Sequence, residues 1–297
     1  MPELPEAETI KRGLNKFLPG TKIIGVGIIR PKLIKKINPA VFAKELTGDI
    51  VLDAQRRAKY LLINLKSGNT LVVHLGMSGA LLKGTEADLK DVPGKTDDAI
   101  AIALSESLKK RGGPWRFVRV VFFLDQGLLY YSDLRLFGKL WLVPTKKLGE
   151  LPEIKKLGVE PLSKEFTLEW FKALLKKKTT KIKILLLDQA LLVGLGNIYV
   201  NEALFRAGIM PTRPADSLTD AEAKKLYREC IAVLEEGIKY RGTSNSDYYD
   251  FEGKQGTFQN HLRVYDRKGE ACPKCGGVVH KMKLGQRGTY YCPKCQK

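Results

Sequence analysis

Four cysteines near the end of the chain constrain its fold more than any other feature. Cys272, Cys275, Cys292 and Cys295 form two C-x-x-C pairs separated by sixteen residues, which is the spacing of a tetrahedral zinc site closed by four thiolates. Two disulfides are the competing reading, and they fit poorly: the sequence shows no secretion signal and carries an odd fifth cysteine, Cys230. A site closed by four thiolates leaves the metal no open coordination position. One Zn2+ ion is therefore expected to stabilise the fold and not to activate water. Between the pairs, residues 278–283 and 289–291 read as two strands joined at 284–288, which puts Gln286 and Arg287 at a hairpin tip.

Periodicity divides the rest of the chain. After Pro5, the residues Ala7, Ile10, Leu14, Phe17 and Leu18 recur at helical spacing and Gly20 is a natural stop, so the chain opens with a helix. Short β-rich runs follow at 23–29, 60–65, 71–75, 118–124, 128–131 and 140–143, spaced as in a sandwich or barrel. Between Gly84 and Trp115 lies a polar stretch, read as a long loop or insertion with room for a short helix. Beyond Pro144 the pattern is helical near 168–177, 181–188, 198–207 and 219–240. In the last of these, Thr219 and Glu222 form a capping box, and Cys230 shares an apolar face with Ala223, Leu226, Val233 and Leu234, as an inert core thiol would. Residues 242–259 read as a long loop. The expected fold is a multidomain α+β protein: an N-terminal helix and antiparallel β-sandwich over 1–144, a helical domain over 145–260, and the β-hairpin zinc finger over 261–297.

Charge narrows the partners. Fifty-one Lys and Arg against 32 Asp and Glu leave a net charge of +19, a surplus that attracts a polyanion and displaces its condensed counterions. Basic residues gather at Arg56, Arg57 and Lys59, at 109–111, and as six lysines between Lys172 and Lys183. Nucleic acid is the leading partner, with a generally basic surface as the bland alternative. No apolar run is long enough to cross a bilayer, and the first residues are not a basic stretch followed by an apolar one. A cytoplasmic monomer is expected.

The opening Met1-Pro2-Glu3-Leu4-Pro5-Glu6 fits an ordinary helix start, with proline in the first turn and acids favoured by the macrodipole. It also fits a catalytic terminus. Initiator methionine is usually removed before proline, which would give Pro2 a free secondary amine. An α-amine titrates near about 8, against about 10.4 for lysine, so more of it is neutral and nucleophilic at cellular pH. Attack on the anomeric carbon of a deoxyribose would give a cationic iminium that draws electrons from C2′ and promotes strand cleavage. Glu3 stands where it could move the protons.

The segment Pro2-Glu3-Leu4-Pro5-Glu6-Ala7-Glu8-Thr9 resembles the N-terminus of the formamidopyrimidine-DNA glycosylase family. So do, in order, Gln55-Arg56-Arg57-Ala58-Lys59-Tyr60-Leu61, His74-Leu75-Gly76-Met77-Ser78-Gly79, Gly194-Leu195-Gly196-Asn197-Ile198-Tyr199 and the zinc hairpin. The resemblance implies a helix-two-turns-helix motif in the helical domain. It implies a bifunctional glycosylase and AP lyase that removes 8-oxoguanine and formamidopyrimidines from damaged double-stranded DNA, with β,δ-elimination. Pro2 would be the Schiff-base nucleophile, Glu3 the general acid and base, and Lys59 a catalytic contact to phosphate. His74 lies within a DNA-binding motif. Asn197 and Arg287 would grip phosphates flanking the lesion, while Met77, Arg135 and Phe137 would fill the gap left by the flipped base, Arg135 facing its orphaned partner.

The match has departures. Asp133-Leu134-Arg135-Leu136-Phe137-Gly138 lacks the family's usual proline and second arginine, and Val159 stands where proline is usual. Arg116-Phe117-Val118-Arg119 replaces a histidine-bearing segment after the insertion. Two other readings remain: an endonuclease VIII-like enzyme for oxidised pyrimidines, against which Leu4 argues, and a non-catalytic zinc-ribbon protein that binds damaged DNA.

Overall fold

The computed structural model describes residues 2–84, 88, 97–244 and 248–297. Met1 lies outside them, as do parts of the two loops expected after Gly84 and Gly242. The chain forms two compact units. One comprises Pro2 with Glu6–Ile154 and Arg241–Thr257, the other Glu3–Pro5, Lys155–Tyr240 and Phe258–Lys297.

The first unit is a sandwich of two four-stranded antiparallel sheets. Strands β1 (Ile23–Ile28), β5 (Gly79–Lys83), β6 (Val118–Leu124) and β7 (Gly127–Asp133) form one sheet in the order β1-β6-β7-β5. The other runs β2-β3-β4-β8, from β2 (Val51–Arg57), β3 (Tyr60–Leu65), β4 (Asn69–His74) and β8 (Lys139–Pro144). Alternate residues from both sheets, such as Val26, Val120, Phe122 and Tyr131 with Leu61, Ile63, Val73 and Leu140, fill one buried core. Ala7, Ile10 and Leu14 of the opening helix, Leu4–Phe17, join it, as the spacing of its apolar residues requires.

Three elements are absent from the sequence reading. The strand β2 hides in sequence because Asp53, Gln55 and Arg57 interrupt its apolar residues, and β5 is short and begins at glycine. A helix at Pro39–Leu46 was also missed, although Asn38 caps it and Pro39 occupies its first turn. The insertion does contain a helix, Asp98–Leu108, capped by Asp97. Its Ala101, Leu104 and Leu108 bury the outer face of the first sheet against Val121, Phe123 and Tyr130, so every residue of β7 is buried. Residues 241–257, read with the helical region, pack in the sandwich unit: Tyr248 and Phe251 enter its core and Lys83 N–H donates to Phe251 O at 2.9 Å.

The second unit is helical with a terminal hairpin. Its core packs Leu4 with residues of the helices Leu168–Lys176, Ile182–Leu187, Asn197–Ala207 and Asp220–Lys239. Cys230 is fully buried there, and burial pushes its thiol pKa up, as expected of a structural cysteine. Strands β9 (His280–Leu284) and β10 (Arg287–Tyr291) form the hairpin. The first begins two residues later than expected because Val278 instead bridges to Ala271.

Candidate active site

Glu3 is seated on backbone amides. Only 3% exposed, its carboxylate accepts hydrogen bonds from Gly196 N–H at 2.9 Å and Ile198 N–H at 3.1 Å. These amides open the helix Asn197–Ala207, whose N-cap residue, Gly196, offers no side-chain cap. Glu3 supplies the missing acceptor from 193 residues away, and the positive end of the helix dipole faces an anion. Glycine is required here on spatial grounds: a Cβ on Gly196 would lie 2.3 Å from the carboxyl carbon of Glu3, and one on Gly194 would lie 2.5 Å from Leu4. Leu4 N–H donates to Gly194 O at 3.0 Å and fixes the other side of the seat. The arrangement fixes the orientation of the Glu3 carboxylate, adjacent in the chain to Pro2, which is itself buried.

The same helix start meets the hairpin. Asn197 Nδ2 donates to Gly288 O at 3.0 Å, and Tyr290 N–H donates to Asn201 Oδ1 at 2.8 Å. Lys183, fully buried, donates to Gly288 O at 2.9 Å and Thr289 Oγ1 at 2.8 Å. Burial lowers its pKa to about 7; the Glu3 charge opposes that shift and Arg287 adds to it. Arg287 itself is exposed at the start of β10. In sequence Lys183 belongs to the lysine run counted toward a basic surface, and the signal that it is buried is its apolar flank, Ile182 and Ile184 to Leu187.

The four cysteine sulfurs lie within 4.8 Å of one another, Cys272 to Cys295 at 3.8 Å and Cys275 to Cys292 at 3.5 Å. Zn–S bonds of about 2.3 Å in a tetrahedron give edges of about 3.8 Å, so the cluster fits zinc. These separations far exceed a disulfide bond.

In the sandwich unit, Lys59 is 9% exposed in the turn between β2 and β3, where Ala58 has φ 54°. Neighbouring Arg56 is committed to the fold: it pairs with Glu8 Oε2 at 3.0 Å and donates to Ala58 O at 2.9 Å. Burial raises the Glu8 pKa, but Arg56, Lys11 and Arg12 outweigh it and hold the carboxyl below its usual range. His74 ends β4 beside the Tyr60 ring. Burial first, then Lys59 and Lys139, lower its pKa to about 4. Its Nδ1 accepts from Gly76 N–H at 3.2 Å, so Nε2 carries the proton and can donate.

Two loops of this unit meet backbone to backbone. A Cβ on Gly76 would come within 2.6 Å of Phe137 C, and Asp133 braces both loops: Oδ1 accepts from Ser78 Oγ at 2.6 Å and Oδ2 from Gly138 N–H at 2.8 Å. Met77 is half-buried, Phe137 is 52% exposed, and the Arg135 guanidinium lies 5.1 Å from the Phe137 ring. Neither Met77 nor Phe137 is a core residue. Leu136 takes a left-handed φ of 56° and packs against the sandwich core.

A sandwich unit, a helical unit ending in a four-thiolate hairpin, and a glutamate from the chain start seated on a helix N-terminus together define a class, the zinc-hairpin DNA glycosylases. Three family models match in order: "Formamidopyrimidine-DNA glycosylase N-terminal domain" over residues 1–140, "Formamidopyrimidine-DNA glycosylase H2TH domain" over 157–248 and "Zinc finger found in FPG and IleRS" over 269–297. The chain belongs to the formamidopyrimidine-DNA glycosylase family. The protein of that name from Pelotomaculum thermopropionicum is 44% identical over 298 residues, covering 100% of this chain and 99% of its own, and that of Desulforamulus reducens is 42% identical over 299, with 100% and 99% covered. Among solved structures, the Lactococcus lactis Fpg bound to abasic-site DNA superposes with a TM-score of 0.84 at 34% identity, covering 99% of both chains. MutM (Fpg) of Thermus thermophilus gives 0.81 at 36%, covering 99% of this chain and 98% of its own. Among the described residues, no helix is long and apolar enough to cross a membrane.

Proposed function

We propose that this base-excision DNA glycosylase attacks C1′ of an oxidised purine nucleotide with the amine of Pro2, freed by removal of Met1. The nitrogen bonds to C1′ as the glycosidic bond breaks, and the base leaves with a proton. Ring opening gives the iminium; loss of a C2′ proton expels the 3′ phosphate, and δ-elimination then expels the 5′ phosphate. Glu3 accepts and returns protons through these steps. Lys59 and His74 hold phosphate near the lesion, Asn197 and Arg287 hold the flanking phosphates, and Met77, Arg135 and Phe137 occupy the gap left by the extruded base. Related proteins of Lactococcus lactis have been solved with abasic-site and Fapy-dG-containing DNA, which supports the substrate class. The cytoplasm is the expected compartment.

The observation that carries the reading is the seat of Glu3. A buried carboxylate, oriented by backbone N–H groups at a helix start and adjacent in sequence to Pro2, supports proton exchange with a sugar bonded to that proline. Borohydride reduction of a mixture with 8-oxoguanine duplex, followed by peptide mapping, should find the sugar on Pro2. A crosslink on a lysine, with turnover intact after Pro2→Gly and Glu3→Gln together, would defeat the mechanism.

A further inference from the structure

Two arginines of the sandwich unit flank one aromatic ring within the segment Arg116-Phe117-Val118-Arg119, and a third, Arg30, lies beside them. The guanidinium carbons of Arg116 and Arg119 lie 6.0 Å and 5.7 Å from the centre of the Phe117 ring. Arg30 is locked beside Arg119 because Ile29 N–H and Arg30 N–H both donate to Arg119 O, at 2.9 Å and 3.2 Å. Arg119 is also aimed, since its Nε donates to Asp133 O at 3.0 Å. Among the described residues, none of the three is ion-paired with a carboxylate. Asp133, whose charge acts on Arg119, is occupied by Ser78, Arg135 N–H and Gly138 N–H.

Like charges held together on a rigid strand pair repel, and the protein gains nothing from that repulsion unless an anion relieves it. Burial, and then the Arg30 charge, lower the Arg119 pKa, the expected sign of such crowding. A cleft of about 180 Å³ opens beside the cluster, lined by Arg116, Phe117, Ser78, Leu134 and Tyr249. Ser78 also accepts from Arg135 N–H at 3.0 Å, so the cleft adjoins the loop that carries Arg135 and Phe137. That loop offers a single cation, because Leu136 turns into the core.

We infer that Arg30, Arg116 and Arg119 form a phosphate-binding site for duplex DNA, engaging the backbone of the strand that carries the orphaned partner base. The ligand and strand rest on the proposed function, in which Arg135 faces that base; the site itself rests on the geometry of the cluster. Phe117 holds the two guanidiniums by cation–π contact, which orders them before the phosphate arrives. The cluster adds affinity without sequence preference, because phosphates carry none.

Salt dependence of binding reads the site directly. For undamaged duplex, log affinity against log salt concentration should lose a slope of about 1 to 2 in the double variant Arg30→Gln/Arg116→Gln, as expected for one or two phosphate contacts at about 0.9 each. Arg116→Lys, which keeps the charge, should retain most of the slope and so separates charge loss from misfolding. A neutral methylphosphonate walked along the partner strand should weaken wild-type binding at one or two linkages and leave the double variant indifferent to those linkages. An unchanged slope, or an identical methylphosphonate profile in both proteins, overturns the inference. Binding slopes need no turnover, so failure of borohydride trapping would strike the proposed chemistry alone.

Discussion

Two helices of the second unit begin in opposite ways. Asp220–Lys239 is capped by its own sequence: Thr219 Oγ1 accepts from Glu222 N–H at 3.3 Å, and Glu222 returns the bond to Thr219 N–H at 2.9 Å. Asn197–Ala207 starts at a bare glycine and takes its acceptor from Glu3. A local cap satisfies orphan amides and does nothing else. A borrowed cap also fixes the borrowed group, so the second helix spends its amides on holding a carboxylate in one orientation.

The largest test of this contrast is removal of the metal. The borrowed-cap helix leans on β10 through Asn197 and Asn201, whereas the cluster around the hairpin is small: Phe205, Val264, Cys272, Val279, Tyr290 and Cys292. Structural zinc supplies about 10 kcal/mol or more in such modules. Chelation, or Cys292→Ser, should abolish amide protection across 269–297 and loosen residues 197–201, with DNA binding lost. The self-capped helix should keep its protection. Equal loss from both helices in hydrogen exchange would erase the distinction.

Next comes Glu3→Gln, which keeps the shape of the cap and removes its charge and basicity. Glycosylase turnover should fall by roughly 10²- to 10⁴-fold, while thermal unfolding shifts by only a few degrees. Rapid turnover by this variant would show the seat to be structural. Gly196→Ala is subtler. With φ −129° and ψ −161° the backbone accepts alanine freely, so the whole effect comes from the methyl displacing the Glu3 carboxyl. Misplacement of that kind costs on the order of 100-fold in kcat; a rate near wild type would mean that the orientation of Glu3 is unimportant.

The two caps also show what a sequence can and cannot announce. The capping box and the zinc site are made by side chains at fixed spacings, so Thr219, Glu222 and the four cysteines were readable from the chain alone. The sandwich was readable where apolar residues run almost unbroken, as in β3 and β6, and was lost at β2, where Asp53, Gln55, Arg56 and Arg57 break the run. The seat of Glu3 was unreadable from local pattern because backbone amides are the same in every residue; only the family resemblance marked Gly194-Leu195-Gly196-Asn197. The burial of Lys183 could not be read because most of its basic neighbours in sequence are exposed lysines; it comes from tertiary packing against β10. Residues 242–259 read as a polar loop, yet Tyr248 and Phe251 enter the sandwich core.

The smallest expected effect belongs to the self-made cap. Thr219→Ala removes the hydroxyl acceptor and should cost about 1 kcal/mol, read as a lower urea midpoint with unchanged slope, and it should leave turnover untouched because Thr219 orients no reacting group. Glu222 gives an independent handle. The Arg213 guanidinium, at 2.5 Å and 3.0 Å from its two oxygens, together with the Thr219 backbone and hydroxyl outweighs burial and lowers its pKa to about 2. Because the folded value lies below the unfolded one, this contribution is fully present above about pH 4.5 and is lost as pH falls through about 2. The group is mostly solvated, so the change is modest. Glu222→Gln should therefore flatten the stability profile between those two pH values and nowhere else; an altered rate at neutral pH in either variant would mean that the self-capped helix, too, serves the chemistry.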